Sequence, residues 1–167
     1  MPRSFEVPFE SPASVEQVHA AFSDAEYWLA RFAAFDAPST LDSLSAEPDG
    51  TVRVGITQHL GRQLLPSLIA KLIPGDLKIL HTETWRPVGE GRLSGNVSIS
   101  APAAFGSGRG VALLEPSGDG SRLEFTGTVE FKVPLLGGTI ESHVARQFAE
   151  GIPEIQRFTA GWITEHA

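Results

Sequence analysis

Cysteine is absent from the 167 residues. Its absence excludes disulfides, a thiolate nucleophile and zinc held by thiolates. Basic charge is scarce: 13 Lys and Arg stand against 20 Asp and Glu, a formal net charge of −7. Phosphate binding needs a basic surface, so a general nucleic-acid role is not expected. Long apolar runs are missing too. The longest, Leu64 to Pro74, is too short to span a bilayer and contains Lys71 and two prolines. The opening Met-Pro-Arg-Ser-Phe-Glu has no apolar signal-peptide segment, and a cytoplasmic protein is the expectation. Five histidines (His19, His59, His81, His143 and His166) are scattered without HxxxH or HxH spacing, so neither a metal nor any other cofactor is expected. No GxGxxG, GxxxxGK[ST] or Gly-x-Ser-x-Gly motif occurs. Gly106-Ser107-Gly108-Arg109-Gly110 is glycine-rich, but it leads into a strand and lacks the helix N-terminus that a phosphate needs.

What is present is an ordinary globular composition, 41% apolar and 20% charged. The length suits one domain, residues 1–167, with a core of its own. Ser4 to Glu10 alternates, with Phe5, Val7 and Phe9 on one face, and predicts a strand whose Pro8 favours an edge or a bulge. Ser14, with Gln17 three residues on, reads as a capping box opening a helix that buries Val15, Val18, Ala21 and Phe22. Asp24 caps a second helix, from Ala25 to Phe35, with Trp28, Leu29, Phe32 and Phe35 on its apolar side. A meander of strands follows, over 40–46, 51–60, 77–88, 92–101, 108–115 and 122–133, joined by turns rich in Gly, Pro and Asp.

From Leu135 the period changes from two to that of a helix. Ile140, Val144, Phe148, Ile152, Ile155, Thr159 and Trp162 form one apolar stripe. A helix from Thr139 to Glu165 would be roughly 40 Å long at about 1.5 Å per residue. Pro153 should bend it. The strands have few ways to bury that stripe other than to curl around it. The expected class is α+β: a curved antiparallel sheet of about seven strands wrapped around a long C-terminal helix, with two short helices after the first strand.

This order resembles the START-like helix-grip (SRPBCC) superfamily over essentially the whole chain. The likeness is carried by Ser14 to Phe22 with Tyr27-Trp28, by Asp119-Gly120-Ser121-Arg122-Leu123, and by Val129 to Gly138. The resemblance is to an uncharacterised bacterial branch related to polyketide cyclases and coenzyme-Q-binding proteins. It implies an apolar ligand, a lipid, quinone or polyketide-like ring, held between sheet and helix.

Alternation says which side chains face inward. Val54, Ile56 and Gln58 share a face; so do His81, Glu83 and Trp85; Val97, Phe125 and Val129 face the same interior. With Val144, Gln147 and Phe148 from the helix, these twelve are the candidate ligand-binding residues. A buried carboxylate must be paired or protonated, so inward His81 and Glu83 would be orienting groups or, alternatively, the proton-transfer pair of a cyclase or dehydratase. His143 is expected to be solvated. The apolar insert 64–74 reads as a lid, a membrane-facing gate or a protein-interaction surface; Lys71 and Arg62 are too few cations for strong attraction to anionic lipid, so any membrane contact would be transient. A monomer or weak dimer is expected.

Overall fold

A computed structural model of the chain describes residues 2–35, 38–60, 67, 71, 77–101, 106–132, 135 and 137–167. The elements are β1 (Arg3–Ser11), α1 (Val15–Phe22), α2 (Ala25–Ala34), β2 (Ser39–Ala46), β3 (Val52–Leu60), β4 (Leu77–Pro87), β5 (Leu93–Ser100), β6 (Gly106–Ser117), β7 (Gly120–Phe131) and α3 (Gly137–Glu165). The strands make one antiparallel, curved, open sheet in the order β1-β7-β6-β5-β4-β3-β2. The meander therefore runs β2 to β7, and β1 closes onto its last strand. The helix α3 packs mainly on β1 and β7, and also meets α1 and α2. This is the helix-grip arrangement expected from the residue pattern.

Local chemistry sets the two short helices. Ser14 Oγ accepts the Gln17 N–H at 3.1 Å, and Gln17 Oε1 accepts the Ser14 N–H at 2.8 Å, the reciprocal capping box. Asp24 caps α2 through the Glu26 N–H at 2.9 Å. The face that α2 buries differs from the expected one. Tyr27 and Trp28 are fully buried, whereas Leu29 is 56% exposed. Both rings carry polar atoms that find partners inside: Trp28 Nε1 donates to Phe22 O at 2.8 Å, and Tyr27 Oη lies 2.6 Å from Thr159 Oγ1. Two large satisfied aromatics outweigh one leucine and set the rotation of the helix.

β2 is irregular because its pairing with β3 shifts between Leu41 and Ser43. The bulge lets Leu41 and Leu44 pack on the same core despite their spacing of three. β6 begins and ends two residues outside the expected 108–115. Along α3 the most buried residues are Gly137, Ile140, Glu141, Ala145, Gln156, Thr159 and Ile163, while Val144, Phe148, Ile152, Ile155 and Trp162 are half-buried. The inward face is thus wider than the expected stripe, because it includes small and polar residues. α3 continues through Pro153 without a break. Glu141 is satisfied where it lies, its Oε2 accepting the Phe131 N–H at 2.9 Å.

Among the described residues, no helix is long and apolar enough to cross a membrane. The insert 64–74 falls outside the described residues except for Ser67 and Lys71, both exposed, with the Lys71 N–H donating to Ser67 O at 3.3 Å.

Candidate functional site

The curvature of the sheet leaves a cavity of about 100 Å³ against α3. Aromatic and aliphatic side chains dominate its wall. Phe5 comes from β1, Val97 and Ile99 from β5, and Phe125 and Val129 from β7. Phe148, Ile152 and Ile155 close it from α3. Phe5 stacks on both Phe125 and Phe148, with ring centroids 5.9 Å apart in each case, and so joins the sheet wall to the helix wall.

The hollow owes its existence to glycines on the inner face of the sheet. Gly110 lies diagonally across from Phe125 in the β6–β7 register, and a Cβ there would come 2.2 Å from Phe125 Cζ. Gly95 is directly opposite Trp85, and its Cβ would be 2.5 Å from that ring. Each ring lies flat on a neighbouring strand's bare backbone instead of projecting into the interior. Space that side chains would otherwise fill stays open.

One end of the cavity is charged. On β4 the alternation turns His81, Glu83 and Trp85 inward, all buried, and leaves Leu80 outside. Trp85 Nε1 donates to Glu83 Oε1 at 2.9 Å. The other oxygen, Glu83 Oε2, is 2.8 Å from His81 Nε2 and 3.6 Å from Arg31 Nη2. Arg31 reaches this point from α2, where its guanidinium lies over the Trp28 ring, 4.7 Å from the centroid. The side chain of Glu83 is 5% exposed and that of Arg31 12%. Burial alone would raise the Glu83 carboxyl, but the Arg31 charge, the adjacent His81 and the Trp85 indole together outweigh it and bring its pKa from 4.5 down to about 2. Burial opposes the Arg31 charge as well; Tyr27 and Glu83 outweigh it and hold the guanidinium above its usual value. Burial raises the Tyr27 phenol, whose oxygen is linked through Thr159 Oγ1 to Ile155 O at 2.9 Å. The result is a paired, ionised cluster with every charge met by an opposite one.

The twelve candidates divide by position. His81, Glu83, Trp85, Val97, Phe125, Val129 and Phe148 line the cavity. Val54 and Ile56, each 3% exposed, are packed in the core with Phe32 and Leu41 instead, because α2 covers the β2–β3 end of the sheet. Gln58 is half-buried beside Ile79 and Ser39, away from the lining. Val144 is half-buried and Gln147 exposed, and neither lines the cavity. His143 is not simply solvated: its Nε2 is buried with no hydrogen-bond partner among the described residues. Arg31 and Gln156 line the cavity and were not among the candidates. Arg31 follows Tyr27 and Trp28 at helical spacing, which was a usable signal; Gln156 sits where a stripe counted by hydrophobicity skips it. No group of three or more His, Asp or Glu placed to hold a metal occurs among the described residues.

Comparison with known proteins agrees with the fold. The profile of the family described as "Protein of unknown function (DUF2505)" matches residues 6–163. An uncharacterised protein of Mycobacterium tuberculosis is 36% identical over 99% of both chains. Among solved structures, a protein of Thermus thermophilus shares the fold with a TM-score of 0.64 and 16% identity over 99% of each chain. A START superfamily protein of Mycobacterium smegmatis aligns with a TM-score of 0.56 and 13% identity, covering 98% of this chain and 99% of the other.

Proposed function

The chain belongs to the DUF2505 family, and from that premise we propose that it binds and carries a small apolar molecule in the cavity between sheet and α3. The observation that carries the reading is the cavity itself: apolar walls with one polar end, the usual design of a small-molecule site. The START-like fold supports it. The apolar walls supply affinity and the Arg31–Glu83–His81 end supplies orientation. At about 100 Å³ the space is below the roughly 150 Å³ that accommodates benzene in an engineered cavity, so a short chain fits it as it stands and a single ring needs a small outward shift of its walls. A fused-ring or long-tailed ligand would require Phe148 and its neighbours on α3 to move. Native mass spectrometry of protein purified from its own host tests the proposal. A co-purifying apolar mass supports it. A clean apo mass, with no change in tryptophan emission on adding small aromatic or aliphatic probes, sinks it.

The 2.8 Å contact between His81 and Glu83 in the cavity lining favours a second reading, a cyclase- or dehydratase-type enzyme. Glu83, held near pH 2, is a weak base and carries no proton to donate at neutral pH. The proton would have to move through His81, with Glu83 only positioning it. In that case His81→Ala removes turnover outright; in a carrier it only weakens binding.

A further inference from the structure

We propose that the ligand presents a neutral hydroxyl to His81, and that the cavity selects a small hydroxylated ring over both its plain hydrocarbon and its carboxylate counterpart. This rests on the reading of the cavity as a ligand site. His81 lines the cavity and is 7% exposed, and its Nδ1 is buried with no hydrogen-bond partner among the described residues. A buried polar atom left unpaired is costly and calls for an occupant that completes it. The other ring nitrogen identifies that occupant. Nε2 stands 2.8 Å from the ionised Glu83 Oε2, a close contact though too bent to be a well-formed hydrogen bond. Two lone pairs are not held facing each other at that distance, so the proton belongs on Nε2. Whenever the ring is uncharged, that placement makes Nδ1 the acceptor, and a buried acceptor asks for a hydroxyl or another donor. Glu83 is fully engaged by Trp85, His81 and Arg31, and Arg31 by Glu83, Tyr27 and the Trp28 face. The cluster offers no spare cation to a ligand anion, so a carboxylate brought into the cavity would lose its hydration without compensation. Gln156, 8% exposed on α3, brings a primary amide to the same lining and can donate to the hydroxyl oxygen.

The test compares phenol, toluene and benzoate, which share one ring, by titration of tryptophan emission and by calorimetry at neutral pH. Phenol is expected to bind about ten-fold tighter than toluene, the advantage of one hydrogen bond to an otherwise unpaired buried acceptor, and benzoate weakest. In His81→Phe, which keeps a ring in the wall, the phenol advantage should vanish while toluene still binds. The ¹⁵N shift of His81 Nδ1 in the wild-type protein should move on adding phenol and stay put on adding toluene, a readout independent of whether the variant folds. Equal binding of phenol and toluene, or tightest binding by benzoate, overturns the inference while leaving the cavity a ligand site. Binding of none of the three overturns both.

Discussion

Replacing Glu83 by Gln removes one negative charge from the buried cluster while keeping volume and an acceptor for Trp85 Nε1. The expected cost can be worked from the protonation equilibrium. Folding lowers the Glu83 pKa from 4.5 to about 2, which at about 1.4 kcal/mol per pH unit corresponds to about 3 kcal/mol favouring the ionised folded form. Removing one partner of a buried pair, which leaves Arg31 without its carboxylate, costs about 3–5 kcal/mol. The two routes agree, and a domain stable by about 5–15 kcal/mol survives the loss in weakened form. The pH dependence follows from the direction of the shift. The folded state holds the Glu83 proton less tightly than the unfolded chain, so the contribution is complete above about pH 4.5 and disappears as pH falls toward 2. Urea denaturation of wild type and Glu83→Gln from pH 2 to 7 measures both effects. The difference in unfolding free energy should be about 3 kcal/mol at pH 7 and close to zero near pH 2. A difference below about 1 kcal/mol at pH 7, or one that stays constant through the acid range, would refute the account of a stabilising ionised cluster. Combining Arg31→Met with Glu83→Gln should cost less than the sum of the single changes, since both remove the same pair.

Gly110→Ala drives a methyl group into Phe125, so the ring must swing into the cavity; a loss of about 1–3 kcal/mol and abolished probe binding are expected, read by denaturation and titration. Ile56→Ala should cost about 2–5 kcal/mol with probe affinity preserved, because Ile56 belongs to the packed core and not to the lining. Gln147→Ala, on an exposed position, should change stability by less than about 0.5 kcal/mol and leave binding unaltered. Ser14→Ala removes the hydroxyl that caps α1 and should cost about 1 kcal/mol in a melting experiment.

The residues that announced the fold are those whose spacing carries a physical constraint. The change of period at Leu135 predicted α3, and the Ser14–Gln17 pair predicted the start of α1. On β4, strict alternation turned His81, Glu83 and Trp85 to one side and the structure keeps them there, because a one-residue slip would have exposed all three. Alternation has no power over what covers a strand, however. Val54 and Ile56 face the interior as their parity demands, but the interior at that place is filled by α2. The bulge at Asp42 is likewise invisible to a period-two reading. Arg31 and Gln156 escaped because charged and amide side chains on an amphipathic helix are read as solvent-facing; the helical spacing of Arg31 from Tyr27 and Trp28 argues against that reading, whereas for Gln156 only its place in the cavity lining does.

The glycines explain why the cavity persists in a domain otherwise tightly packed. Protein interiors normally close gaps by rotamer adjustment. Trp85 and Phe125 are two of the large side chains that border the space, and each lies against a neighbouring strand's backbone at Gly95 and Gly110. Trp85 is also tied by its Nε1 hydrogen bond to Glu83, which is itself tied to Arg31 on α2. Rotating Trp85 into the hollow would therefore leave a buried carboxylate with one donor fewer, at a cost of about 1.5–3 kcal/mol for a hydrogen bond to a charged group. Filling the cavity recovers a similar amount at best: at about 24 cal/mol per Å³, closing about 100 Å³ is worth about 2.4 kcal/mol, and only if the ring fits it fully, so the rotation brings no clear gain. The charged cluster thus does two jobs through one hydrogen bond. It fixes the polar end of the site, and it holds the aromatic wall back from the space that a ligand would occupy.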